Sequence, residues 1–234
     1  MTESYVERIE DPFVGGAIND WYESLPIVPY KNGGVVVIDM INGFVHEGPL
    51  SGPRVARLML PIRRFVQGAK DKGSRLFVSL QDTHSSDAIE FKSYPPHAIA
   101  GTKECELIPE LSSLDVEWAV FEKDTLNVSA SPRAHFNAAL LGWSEKRNPQ
   151  QNAYAKYTTT FWLVGNCTDL CVYQTAMQMR QFYSSFALNP RIVVVADLTD
   201  TYDAPWHPGD FYHRLFLKHM EQNGIEIVRD VDFG

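Results

Sequence analysis

Six short apolar runs recur along the chain, at 34–39, 75–81, 116–121, 161–165, 191–196 and 225–229, and most are rich in β-branched residues. Several are continuous rather than alternating, the pattern of strands buried on both faces in a parallel sheet. Helices are predicted between them, over about 53–72, 169–185 and 208–223. In the last of these, Phe211, Leu215 and the Phe216/His219/Met220 group recur at helical spacing, and Gly224 follows as a stop. This alternation predicts a doubly wound α/β fold with about six strands.

Residues 1–32 hold aromatics and prolines with little periodicity. They read as an arm that wraps the domain, with one short helix near Trp21. Residues 33–234 read as a single domain, and the polar stretch 142–158, GWSEKRNPQQNAYAKYT, as an inserted loop within it. No internal repeat or low-complexity tract interrupts the pattern.

With 234 residues, 44% of them hydrophobic, the chain suits one globular domain with a sizeable core. Lys plus Arg total 21 against 29 Asp plus Glu, a formal charge of −8. That balance, with a pI near 5.3, argues against a nucleic-acid or anionic-membrane partner. No apolar run approaches the roughly 18–20 residues that a membrane helix needs. The opening MTESYVERIEDPF has neither a basic start nor an apolar segment, so no signal peptide is expected there. Three cysteines, few and odd in number, are expected to be free thiols in a reducing cytosol.

Open parallel sheets bind ligands beyond the carboxyl ends of their strands, so the residues just past each run carry the functional information. The first run ends at Asp39. The second ends in QDTHSSD, with Asp82 and His84, and the third in FEKD, with Lys123. The fourth ends in GNCTDLC, with Cys171 one helical turn further on, and the fifth at Asp197. Taken singly, each has an ordinary explanation: a turn-forming acid, a solvated lysine, a small buried thiol. Together they form a nucleophilic set. Thr168 or Asp169 caps a helix whose first turn holds Cys171, and the helix N-terminus and a nearby lysine are expected to favour the thiolate. A carboxylate within reach accepts the thiol proton and later delivers it to a leaving group.

A second cluster, DTHSSDAIEFKSYPPH, contains Asp82, His84, Glu90 and His97. The D-x-H step at a strand end points both side chains to one side. Two imidazoles with one or two carboxylates suit Zn²⁺, Fe²⁺ or Mn²⁺. A surface hydrogen-bond network is the competing reading. His46, His135, His207, His213 and His219 have no comparable company and read as structural. Cys105 reads as packing, and Cys167 as a backbone contributor rather than a reactive thiol.

The segments VVVIDMINGF, QDTH, EFKSYPPHAIAGTKECELIPEL, FEKDTLN and VGNCTDLCV resemble, in order, the cysteine hydrolases of the isochorismatase-like superfamily. The stretch from QDTH to AGT is most similar to the nicotinamidases. The resemblance spans about residues 34–175, and the final strand–helix–strand fits it as well. It implies a three-layer α/β/α fold and amide hydrolysis through a thioester. On this chain Asp39, Lys123 and Cys171 match the family triad. Asp82, His84 and His97 match metal ligands, Zn²⁺ foremost, and Glu90 an additional acidic position. The Asn166–Cys167 bond matches a cis peptide beside an oxyanion hole formed by the amides of Cys167 and Cys171. Phe44 and Tyr94 match positions lining the substrate pocket. The implied protein is a cytoplasmic homo-oligomer that takes a small-molecule amide and no organic cofactor.

The chain departs from the pattern at Cys167, where many members carry alanine, and in the arm and the insert. Two further functions therefore stand beside nicotinamide deamidation: another amidase acting on a carbamoyl, ureido or other small amide, and an inactive binding protein on the same fold. Vinyl-ether cleavage fits poorly, because true isochorismatases lack the cysteine.

Overall fold

The structure, a computed structural model, describes residues 12–131, 135–144 and 159–234. Its centre is a six-stranded sheet of β2 (Gly34–Ile38), β3 (Phe77–Asp82), β4 (Trp118–Lys123), β5 (Thr160–Asn166), β6 (Arg191–Asp200) and β7 (Glu226–Val228). The spatial order is β4-β3-β2-β5-β6-β7 and every pairing is parallel. The order reverses between β2 and β5. In a doubly wound sheet that reversal opens a crevice at the carboxyl ends of the two strands.

Successive strand residues point to opposite faces, so each continuous apolar run feeds two cores. Val36, Ile38, Val78, Leu80, Leu163 and Val194 face one layer, with Val172, Ala176, Met179, Leu217 and Met220 from the helices that cover it. Val35, Val37, Phe77, Trp162, Val164, Val193 and Val195 face the other, with Ile62, Phe65, Val66 and Ala69. All these residues are buried. The architecture is thus the three-layer, mostly parallel α/β/α arrangement.

The helix predicted over 53–72 is two pieces, Pro53–Ala56 and Met59–Asp71. Pro61 has no backbone N–H to continue a helix and sits in the first turn of the second piece, where none is needed. The helix predicted over 169–185 begins instead as a single π-helical turn, Thr168–Val172, and continues as an α-helix over Tyr173–Ser185. The last long helix, Gly209–Gln222, ends before Gly224, whose φ of +84° suits glycine.

The arm carries more structure than one short helix near Trp21. A helix spans Pro12–Glu23, and Trp21 donates through Nε1 to Glu221 at 3.1 Å. A short strand, β1 (Ile27–Pro29), then pairs in parallel with β8 (Asp230–Asp232) at the other end of the chain. Three residues carry too little pattern for such a pairing to be read locally. Of the insert at 142–158, residues 142–144 close the helix Phe136–Ser144, and 145–158 lie outside the described residues.

Candidate active site

The crevice between β2 and β5 gathers the residues that follow the strands. Asp39 comes directly after β2 with φ +52°, in the left-handed region that aspartate tolerates better than most residues. That turn brings its carboxylate to the sheet rim. Its carbonyl accepts a 2.7 Å hydrogen bond from Asn166 Nδ2, and its Oδ1 a 3.0 Å bond from the Asp82 amide. Gly165, at φ +120°, lets β5 approach this closely: a Cβ there would stand 2.0 Å from the Ile38 carbonyl oxygen. The Asn166–Cys167 peptide is cis.

Lys123 is the last residue of β4 rather than the first beyond it, and it is fully buried. Its Nζ lies 2.9 Å from Asp39 Oδ2 and donates a short hydrogen bond to Asp82 Oδ1. The same Nζ is 3.5 Å from Cys171 Sγ, in the π-helical turn. Sulfur, ammonium and carboxylate are thereby in mutual reach.

Burial pushes the Asp39 carboxyl up to about 6; Lys123 pulls it down and Asp82 pushes it further up. Burial also opposes the charge on Asp82, but Lys123, His84 and His97 together hold its carboxyl well below the usual range. Lys123 pays the same desolvation cost, and the two carboxylates beside it raise it well above the ordinary lysine value. For Cys171 burial again comes first and raises the thiol well above its ordinary value, with Lys123 opposing and Asp39 and Asp82 adding to the rise. Desolvation and two carboxylates thus outweigh the one ammonium that was expected, with the helix end, to favour the thiolate.

Asp82, His84, Glu90 and His97 present one ligand atom each, all within 4.8 Å of one another. The two histidines and Asp82 are at most 2% exposed, which removes the surface-network reading. His84 is fully buried, yet among the described residues neither ring nitrogen has a hydrogen-bond partner. Its Nε2 lies 3.3 Å from Asp82 Oδ2 without hydrogen-bond geometry. A buried, unpartnered imidazole of this kind fits a cation. His97 Nδ1–H donates to the Pro95 carbonyl at 2.8 Å, which leaves Nε2 facing the cluster, 3.5 Å from the same Asp82 oxygen. Two nitrogens and two carboxylates suit a borderline divalent ion such as Zn²⁺. Asp82 serves both halves of the site, with one oxygen on Lys123 and the other between the two histidines.

Aromatic rings wall this cluster. Phe44 stands 5.7 Å and Tyr94 6.4 Å from His97, centroid to centroid. Phe91, not singled out in the sequence, lies edge-on to both His84 and His97, at 5.5 and 5.6 Å.

Two histidines that read as merely structural have specific partners. His207 Nε2 is 2.7 Å from Asp169 Oδ2, and His213 Nδ1 shares a 2.8 Å hydrogen bond with the Thr168 hydroxyl. Both partners belong to the turn that carries Cys171, and both lie about forty residues away in sequence, so no local pattern announces them. Asp197 is the converse case. Strand β6 runs on to Asp200, and Asp197 turns outward to Arg229, 3.2 Å away. A register shift between Leu163 and Gly165 accompanies this extra length. Cys105, Cys167 and Cys171 are all free. Burial, then the charge of Asp169, pushes the Cys167 thiol up to about 12. Among the described residues, no helix is long and apolar enough to cross a membrane.

Nicotinamidase 1 of Arabidopsis thaliana is 24% identical over 222 residues, 86% of each chain. PnC1 of L. infantum, solved in complex with nicotinate, superposes with a TM-score of 0.66 at 18% identity, covering 89% of this chain and 99% of that one. Pyrazinamidase of Pyrococcus horikoshii, solved in complex with zinc, gives a TM-score of 0.63 at 19% identity, covering 85% and 99%. The sequence model of the isochorismatase domain matches residues 34–230, and the chain accordingly belongs to the isochorismatase family of hydrolases.

Proposed function

We propose that this protein is a metal-containing cysteine amidohydrolase of small aromatic amides, with nicotinamide as its substrate, releasing nicotinate and ammonia. One observation carries the reading: Lys123 Nζ lies within 3.5 Å of Cys171 Sγ and 2.9 Å of Asp39, and Asp82 joins that trio to the histidine cluster.

Above a pH of about 6 Asp39 is ionised and accepts the Cys171 proton as the sulfur attacks the amide carbonyl. Lys123 stays cationic and offsets the negative charge passing between sulfur and carboxylate. The amides of Cys167 and Cys171 receive the carbonyl oxygen as it gains charge, an effect worth about 3–4 kcal/mol per donor. Asp39 returns its proton to nitrogen, ammonia departs, and a thioester remains on Cys171. Asp39 then takes a proton from water as the water oxygen attacks the thioester carbonyl. The carboxylic acid leaves and the proton returns to Cys171. Asp82, His84, His97 and Glu90 would hold the metal, and when bound it supplies a Lewis-acidic anchor for a ring nitrogen of the substrate. Phe44 and Tyr94 flank the ring. In this reading residues 33–234 form the single catalytic domain.

The test is ammonia release from a panel of amides, nicotinamide among them, by the wild type and by Cys171→Ala. Turnover of nicotinamide by the wild type and its loss in a folded Cys171→Ala variant are expected. Retained turnover in that variant would end the thioester mechanism. Hydrolysis of carbamoyl compounds with none of nicotinamide would move the substrate elsewhere in the family.

A further inference from the structure

The reaction above leaves one buried ionisable pair without a role. Asp169 sits two residues before Cys171 in the same turn and is 7% exposed. Its Oδ1 has no hydrogen-bond partner among the described residues, and its Oδ2 meets His207 Nε2 at 2.7 Å. The other ring nitrogen of His207 lies 3.1 Å from the Tyr202 carbonyl, which can only accept, so Nδ1 carries a hydrogen. One further proton then lies in the Asp169–His207 contact. Drawn on either partner, it leaves the pair with no net charge. The imidazole is stacked between Tyr202 and Tyr212, at 3.9 and 4.0 Å with interplanar angles of 9° and 20°.

The position of this pair makes its neutrality consequential. Asp169 is the largest influence after burial on the Cys167 thiol, and it acts also on Tyr94 and Tyr202. Its field therefore reaches the backbone that would hold the oxyanion and the ring that would flank the substrate. An uncompensated carboxylate there would oppose both the thiolate and the oxyanion. Other charges face the two ends of the system. Lys123, Asp39 and Asp82 surround Cys171. Asp203, on the same loop as His207, accepts instead from the Gly209 amide at 2.8 Å.

We propose that His207 is a positioning residue for catalysis: it cancels the charge of Asp169, so that the turn carrying Cys171 and the Cys167 amide presents no free anion to the reacting sulfur and oxygen. This rests on Cys171 as the nucleophile. It adds that loop 201–208, remote in sequence from every member of the proposed triad, contributes to the electrostatics of the turn that carries the nucleophile, beside Lys123, Asp39 and Asp82.

The experiment compares wild type, His207→Gln, and the double variant His207→Gln/Asp169→Asn. The readouts are kcat and KM for ammonia release, and the pH profile of Cys171 alkylation by iodoacetamide, resolved from Cys105 and Cys167 by peptide mass. Glutamine keeps a hydrogen-bond donor and loses the charge. His207→Gln is expected to move the alkylation midpoint up by about one pH unit and to lower kcat about tenfold, with little change in KM. The double variant regains most of both, because the offending carboxylate is gone. Wild-type behaviour in His207→Gln overturns the proposal, and so does a double variant as slow as the single one, which is the signature of a packing role. His207→Phe, alone and with Asp169→Asn, repeats the comparison with the ring sandwich kept, in case glutamine unfolds the loop. Should neither variant fold, ¹⁵N shifts of His207 in the wild type decide: a bare ring nitrogen beside an ionised Asp169 overturns it. Activity surviving in Cys171→Ala would instead overturn the nucleophile assignment, independently of these outcomes.

Discussion

His213 makes the fold acid-sensitive by an amount that can be worked out. Tyr22 donates its hydroxyl hydrogen to Asp197 at 3.3 Å, so at its 3.3 Å contact with His213 Nε2 the imidazole must be the donor. With burial and nearby arginines keeping the imidazole neutral, its Nδ1 accepts from the Thr168 hydroxyl at 2.8 Å. Burial, then Arg54 and Arg214, press its pKa from 6.5 down to about 3, with Asp210 opposing. A depressed base contributes stability that is intact above its unfolded value and is lost as pH falls toward the folded one, because only the unfolded chain takes up the proton. Between pH 7 and pH 5 the loss from this group is about 2 kcal/mol, or about 4–8 °C in Tm for a chain of this length. Thermal melts of wild type and His213→Gln at the two pH values measure it. Every other group is common to both proteins, so the difference between the two losses isolates His213. The glutamine variant should lose about 2 kcal/mol less than wild type over that interval. Equal losses would refute a buried neutral imidazole, and with it the hydrogen bond that ties this helix to the turn bearing Cys171.

Lys123→Met leaves Asp39 and Asp82 buried without their cation and should cost about 3–5 kcal/mol in urea denaturation; a cost under about 1 kcal/mol would mean the carboxylates find another partner or a proton cheaply. Because Asp39 must be ionised to accept the thiol proton and its carboxyl is raised to about 6, kcat/KM should fall as pH drops through that region, and an acid limb near the ordinary aspartate value would exclude Asp39 as the base. His84→Ala should lose bound divalent metal by elemental analysis while the fold, read by circular dichroism, persists; unchanged metal content would move the ligand set away from His84.

Much of the fold was legible because its signals are local and periodic. Continuous runs such as Val35–Ile38 can be buried on both faces only in a covered parallel sheet. Their alternation with helical patterns specifies the layers, and strand ends then point to Asp39, Lys123 and Cys171. The breaks in reading fall where distant chain decides the outcome. Pro61 divided one helix in two, and a three-residue strand in the arm found its partner at residues 230–232. Asp197 stood at the end of a predicted strand until β6 ran past it, and the lysine expected to favour the Cys171 thiolate is outweighed by burial and two carboxylates.

Residue order along the chain specifies the inventory: which residue types stand at the carboxyl ends of which strands, and hence a doubly wound sheet with a thiol, an acid, a lysine and an acid–histidine cluster along one edge. Which of these groups touch is settled by the folded arrangement. Asp82 and Lys123 meet because β3 and β4 pair with those two residues opposite each other, and His207 meets Asp169 because a loop after β6 folds over the turn after β5. Periodicity encodes which face a side chain takes, but it carries no record of strand order or register. Charge neutrality and proton position depend on contacts of about 3 Å that only order and register create.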